Sequence, residues 1–191
     1  MTLIDMHIHT RPRSSCSILT LNQLYNSLSK RLEGICITDH WKVNPIRKIS
    51  FEPYKVFFGV EIASNQGDIL AYGIKRVPPN KRDAEEVINL IHKQDGVAVS
   101  AHPYSERHNA FHDGVFNYHF DAIEINGAIH KKANKQAKRA AKIMDLPTIG
   151  GSDAHSQSQL NTFATKFQNR IYSIRDIVFA VRNKKCKAVR I

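Results

Sequence analysis

The stretch Thr2-Leu3-Ile4-Asp5-Met6-His7-Ile8-His9-Thr10 opens the reading of the fold. Its core, Leu3–His7, is a short apolar run of strand length, and it ends in imidazoles and a carboxylate instead of turn residues. Side chains two apart on a strand point the same way, so the alternation predicts that Asp5, His7 and His9 share a face. Similar runs recur at Gly34–Thr38, Val56–Glu61, Asp68–Gly73, Val97–Ala101, Ala122–Ile125 and Thr148–Gly151, with two weaker ones at Thr162–Phe167 and Ala188–Ile191. Many are continuously apolar, which is how strands buried on both faces read.

Helix-length amphipathic segments lie between them. Thr20–Arg31 carries Leu21, Leu24, Tyr25 and Leu28 at helical spacing behind a Thr N-cap. Asp83–Gln94 has an acidic first turn and Gly96 just past its end. Lys131–Met144 stops short of Pro147, and Ser173–Arg182 opens with a capping-box-like Ser-Ile-Arg-Asp. Alternation of this kind predicts an α/β protein with a mostly parallel sheet. Periodicity leaves a closed barrel and an open doubly wound sheet both standing. An eight-unit barrel takes about 250 residues, so in 191 residues a barrel would be short or incomplete.

Composition narrows the function. Hydrophobic residues are 42%, enough for a core and unlike a disordered chain. No apolar run approaches the roughly 20 residues of a membrane helix, and the N-terminus lacks the features of a secretory signal, so residues 1–191 are expected to form a single cytoplasmic domain off the membrane. Three dispersed cysteines, Cys16, Cys36 and Cys186, fit neither a disulfide framework nor a Cys-only zinc site. The net charge of +11 favours anionic partners, nucleic acid among them. Much of it sits on residues 131–142, as Lys131, Lys132, Lys135, Lys138, Arg139 and Lys142.

The ten histidines matter through their placement. The runs end, in order, with Asp5-x-His7-x-His9, Thr38-Asp39-His40, Gly59-Val60-Glu61, Ala101-His102-Pro103, Glu124-Ile125-Asn126 and Gly151-Ser152-Asp153-Ala154-His155, and Asp68 begins the run after Glu61. Each element alone is weak. Together they place imidazoles and carboxylates at the carboxyl ends of successive strands, the face where α/β enzymes keep their sites. Imidazole and carboxylate ligands suit zinc, manganese and iron, and more than four of them predict a site for two or three metals. His92, His108, His112, His119 and His130 read as surface residues, with 112 and 119 the best placed of these to approach the site.

These motifs resemble those of the PHP (polymerase and histidinol phosphatase) domain family: Asp5-Met-His7-Ile-His9-Thr10, Thr38-Asp39-His40, Gly59-Val60-Glu61, His102-Pro103 and Gly151-Ser152-Asp153-Ala154-His155, in the family's order. The resemblance implies a distorted seven-stranded, TIM-like (β/α) barrel of PHP type. It implies two or three divalent ions, Zn, Mn or Fe. His7, His9, Glu61 and Asp153 would hold one, Glu61 and His102 a second, and His40 and His155 a third, with Asp68 replacing a histidine of related small phosphatases. Cys16 stands nearest to a further ligand position of the family. Glu61, His102 and Asp153 are the catalytic candidates, and Asp5 and Asp39 are expected to orient imidazoles. Arg11 and Arg13 could grip a phosphate, and Glu124 and Asn126 would line the pocket. The expected activity is hydrolysis of a phosphomonoester, a nucleotide or small phosphorylated metabolite, by a metal-bridged hydroxide. The alternatives are exonuclease action on a nucleic-acid end and a non-catalytic, metal-stabilised binding module that uses helix 131–142 on a partner. Oligomeric state is not predicted.

Overall fold

A computed structural model describes residues 1–43, 49–79, 82–107 and 109–191. His108 lies outside them. Nine strands form one sheet: β1 (Thr2–Ile8), β2 (Gly34–Ile37), β3 (Lys55–Ala63), β4 (Asp68–Tyr72), β5 (Val97–Ser100), β6 (Ala122–Asn126), β7 (Thr148–Gly151), β8 (Phe163–Phe167) and β9 (Cys186–Arg190). Their spatial order is β7-β6-β5-β4-β3-β2-β1-β8-β9. The helices are α1 (Leu21–Ser27), α2 (Ala84–His92), α3 (Lys131–Ile143) and α4 (Ile174–Arg182). Among the described residues, no helix is long and apolar enough to cross a membrane.

Two expectations change here. The sheet has nine strands where seven were expected, because both weaker C-terminal runs join it. It is also mixed. Pairs β1–β2, β2–β3, β5–β6 and β6–β7 are parallel, whereas β3–β4, β4–β5, β1–β8 and β8–β9 are antiparallel. For β3–β4 the reason is connection length. A parallel return needs a crossover of a dozen or more residues. Only the turn Ser64-Asn65-Gln66-Gly67 separates β3 from β4, and it is closed by the Ser64 N–H and hydroxyl donating to the Gly67 carbonyl. As a result the first residue of β4, Asp68, lies beside the end of β3, opposite Ala63.

The sheet nearly closes on itself. Past the end of β7, the Asp153 N–H donates to the His7 carbonyl, and the His9 N–H donates to the Ala154 carbonyl. Toward β8 and β9 the contacts run through side chains. The Gly150 N–H donates to Thr165 Oγ1, whose hydroxyl donates back to the Gly150 carbonyl, and the Ala188 N–H donates to Thr148 Oγ1.

Each helix forms for a local reason and buries one stripe. Thr20 and Gln23 make a capping box on α1, Asp83 caps α2 through the Glu85 N–H, and Ser173 and Asp176 make a capping box on α4. Helix α1 ends at Ser27, short of the expected Arg31, because Leu28 is extended. Val87, Ile88 and Ile91 of α2, with Ala137 and Ala140 of α3, pack on Val60, Ile62 and Ile123 of the sheet. Ile177 and Val181 of α4 join Met6, Leu70, Tyr72 and Val99. Leu24 of α1 packs with Ile8, Ile35 and Ile37. This covered sheet is the frame that holds the strand ends in place.

Candidate metal centre

The strand ends bring seven of the eight predicted metal ligands into direct contact with one another, and the eighth, Asp68, to their margin. Glu61 is the hub. Its Oε2 lies 3.1 Å from His9 Nε2, 3.5 Å from His40 Nδ1 and 3.6 Å from His7 Nε2, and its Oε1 lies 3.0 Å from His102 Nε2. Asp153 Oδ1 lies 3.4 Å from His7 Nε2, 3.5 Å from His9 Nε2 and 3.6 Å from His155 Nδ1. Asp68 Oδ2 stands 4.0 Å from His102 Nε2. Three groups offer ligand atoms all within 4.8 Å of one another: His7, His9 and Asp153; Glu61, Asp68 and His102; and His9, Cys16 and His40. Cys16, His40, Glu61, Asp68, His102, Asp153 and His155 border a cavity of about 460 Å³, also lined by Arg107, Asn109 and Gln159, with His7 and His9 buried behind it.

The hydrogen bonds around the cluster test whether it suits a cation. The buried carboxylate of Glu124 accepts from His7 Nδ1 at 2.7 Å, which leaves a lone pair on His7 Nε2. The Ser14 hydroxyl donates to Asp39 and so accepts from His9 Nδ1, which leaves a lone pair on His9 Nε2. The two Nε2 atoms then face each other at 2.9 Å, between two carboxylates. Acceptors packed this closely need a positive charge among them. Without metal, protons supply it. Burial opposes protonation of His7, yet the charges of Asp153, Glu124 and Glu61 outweigh it and hold the imidazole well above its ordinary range. Burial likewise opposes protonation of His102, but its bond to Glu61 pushes it up to about 9. Glu61 is held well below the usual carboxylate range by His7 and its imidazole partners, despite burial. The donor set fits divalent ions, which would replace these protons. Burial and the neighbouring Glu61 push Asp68 up to about 7. His40 and His155, near the opening, are lowered by burial.

Two ligands carry backbone strain. His102 has φ of 28° and Asp153 φ of 53°. Non-glycine residues in this region cost about 1–3 kcal/mol each and persist where the surroundings fix them. Here the His102 N–H is held by Glu124 Oε2, and the Asp153 N–H by the His7 carbonyl.

The supporting residues differ from their sequence assignments. Asp5 does not orient an imidazole. A register shift in β1 pairs Asp5 with Ile35 but Ile8 with Ile37, so Asp5 shares a face with Ile8 and not with His7. Its Oδ1 accepts from the Ser152 and His7 backbone N–H groups, and burial pushes its carboxyl up to about 7. Asp39 acts on His9 only through Ser14, and it also accepts from Thr10 and Arg13. The Arg13 guanidinium is buried against Asp39 and the Lys42 carbonyl, so it builds the wall where it was expected to meet a phosphate. Arg11 is exposed and does not line the cavity. Glu124 and Asn126, expected to line the pocket, are buried behind it, and Glu124 orients His7. Replacing Glu124 with Gln is expected to weaken metal binding by about 10–100-fold, read by titration with a competing chelator, with the fold retained by circular dichroism. Asn126 donates to both Glu124 and Asp153, and its own backbone is clamped by Asn134 of α3. Asn134 was not anticipated. Its signal is a polar residue within the buried stripe Ala133, Ala137, Ala140 and Ala141. Of the remaining histidines, His92 pairs with Asp121, His119 is exposed, and His112 and His130 line a neighbouring cavity.

Comparison with known proteins agrees with the fold. A family profile described as PHP-associated matches residues 131–186. Uncharacterized protein MJ1587 of Methanocaldococcus jannaschii is 29% identical over 141 residues, spanning 66% of this chain and 82% of its own. Among solved structures, PsfC from Pseudomonas syringae aligns with a TM-score of 0.74 at 14% identity, over 98% of this chain and 91% of its own. The lesion-specific endonuclease PfuEndoQ from Pyrococcus furiosus aligns with a TM-score of 0.69 at 16% identity, over 98% of this chain and 57% of its own. A protein assigned as a metal-dependent phosphoesterase from Bifidobacterium adolescentis aligns with a TM-score of 0.60 at 14% identity, over 95% and 96%. At these identities the structural matches speak for the fold.

Proposed function

We propose that this chain is a PHP-domain protein and that it hydrolyses a phosphomonoester at divalent metal ions, Zn, Mn or Fe, held by the strand-end cluster. The observation that carries this reading is the pair of imidazole Nε2 atoms facing each other at 2.9 Å between Glu61 and Asp153. His7, His9 and Asp153 would hold one ion and Glu61, His102 and Asp68 a second, while the overlapping group of His9, His40 and Cys16 competes with the first for the single lone pair of His9. Bound there, the ions would supply Lewis acidity toward the phosphoryl oxygens and a lowered pKa for water.

The protein's own residues do the rest. Glu61 joins the groups, since each of its oxygens faces different imidazoles. Glu124 and Ser14 fix the ring orientations of His7 and His9, so ligand geometry is set before any ion arrives. Asn126 holds Asp153 by one oxygen and leaves Oδ1 for the cluster. His155 is anchored by the Asp153 carbonyl and by a bond from its N–H to Gln159, at the open side of the cavity. Arg107 offers the cation for a non-bridging phosphate oxygen, the task Arg13 does not perform.

The test is hydrolysis of an aryl phosphate monoester with added Mn²⁺ or Zn²⁺, wild type beside Asp153→Ala. Metal-dependent turnover is expected in the wild type. The variant should lose more than about 100-fold, beyond what removing an outer partner of a ligand costs. Metal-loaded wild type without turnover, or a fully active variant, would overturn the proposal and favour the binding-module reading.

A further inference from the structure

The basic helix is left unexplained by the metal site. Helix α3 carries six cations and no acid over thirteen residues. The Lys and Arg ion pairs of the described residues are Arg13–Asp39, Arg82–Glu86 and Lys184–Asp145, none of which involves α3. Among the described residues no carboxylate pairs with this charge.

Its position relative to the cavity is informative. A second cavity, of about 550 Å³, shares Arg107 and Ala128 with the metal cavity and reaches Lys131 and Lys132 at the start of α3. A third, of about 460 Å³, shares Lys131 and continues past Lys135 and Lys138 to Arg190. Across the second and third cavities the lining carries Arg107, Lys131, Lys132, Lys135, Lys138 and Arg190 against Glu106 alone. Lys131, Lys135 and Lys138 follow one helical face at i, i+4 and i+7, a rise of about 10 Å. The result is a concave basic path that begins at the metal cavity and leads away along α3. A small metabolite has no use for the far end of such a path, and a flat lipid surface does not follow a chain of cavities. An extended polyanion fits both.

We propose that the path docks a single-stranded nucleic acid whose phosphorylated end lies in the metal cavity. The inference rests on the phosphomonoesterase reading for the location of the reacting ester, and it names the strand as the alcohol part of that substrate. Backbone phosphates would pair with Lys131, Lys135, Lys138 and Arg107, so binding is sequence-independent and weakens with salt.

The experiment uses the full, metal-loaded chain with a twelve-nucleotide single strand that carries a hydrolysis-resistant 5′-thiophosphate and an internal fluorophore. Binding is read by fluorescence anisotropy from 50 to 200 mM salt. The variant Lys131→Gln/Lys135→Gln/Lys138→Gln removes three cations and leaves every metal ligand in place. Each single-strand phosphate contact adds about −0.7 to the slope of log affinity against log salt, so the triple variant should flatten the slope by about 2 and weaken binding at least tenfold. Its metal-dependent hydrolysis of aryl phosphate should match the wild type. Equal binding and slope in wild type and variant would overturn the proposal. So would displacement of the strand by phosphatidylserine vesicles that bind the wild type more tightly. Aryl phosphate hydrolysis without strand binding removes this inference and leaves the hydrolytic reading intact. Strand binding lost in the variant, with no ester hydrolysis under any metal, keeps the docking surface and removes the hydrolytic reading.

Discussion

Glu61→Gln is expected to lower both metal affinity and metal-dependent ester hydrolysis by more than about 100-fold, beyond the usual cost of losing an outer partner of a ligand. The substitution keeps the size of the side chain, so its effect isolates the charge. Glu61 is buried, and its two oxygens face four imidazoles at 3.0 to 3.6 Å. A neutral amide would turn an NH₂ toward either His102 or the His7–His9–His40 side. It would also remove half of the charge that Glu61 and Asp153 together present to the cluster. All three ligand groups lose a direct or adjacent anion at once. Metal titration and turnover should fall together, while the far-ultraviolet circular dichroism stays unchanged. A variant that binds metal as the wild type does would contradict the place of Glu61 among the ligands.

Gly150→Ala is expected to destabilise the fold by about 3 kcal/mol, the upper part of the usual overpacking range. A Cβ built at Gly150 meets the Ala164 carbonyl oxygen at 2.4 Å, and that oxygen belongs to the backbone of β8. It cannot swing aside as a side chain would. Relief requires β7 to part from β8, which breaks the two hydrogen bonds that Thr165 makes to Gly150. At roughly 2–4 °C per kcal/mol for a chain of this size, the melting temperature should fall by about 6–12 °C. Because β7 leads into Asp153, metal affinity should fall as well. An unchanged melting temperature would mean that β7 and β8 do not meet as described.

The gathering of imidazoles and carboxylates was legible in the sequence because its signal is chemical and local. His7, His9, His40, His102, Asp153 and His155 stand at or just past strand ends, and strand ends can be read from apolar runs and turns. Glu61 fell inside β3, yet it was found through the same run. The missed features depend on register and on pairing between distant segments. Asp5 was placed beside His7 by strict alternation, and a single extra residue in β1 undid that. The antiparallel β4 was hidden because Ser64–Gly67 looks like any polar break until one counts that it is too short for a crossover. The nine-stranded closure depends on Thr148 and Thr165, whose hydroxyls give no periodic signal. Arg13 looked like a free cation beside the first motif, and only the fold shows Asp39 and Lys42 on either side of its guanidinium.

The central claim is that the buried imidazoles and carboxylates at the strand ends form a metal centre. Its most direct test is the metal content of the purified chain by elemental mass spectrometry, after equilibration with Zn²⁺ or Mn²⁺ and removal of free ion, for the wild type beside Glu61→Gln. The account predicts at least two tightly held ions per wild-type chain and a clear loss in the variant. A folded wild type that retains none, or a variant that retains as many as the wild type, would contradict it.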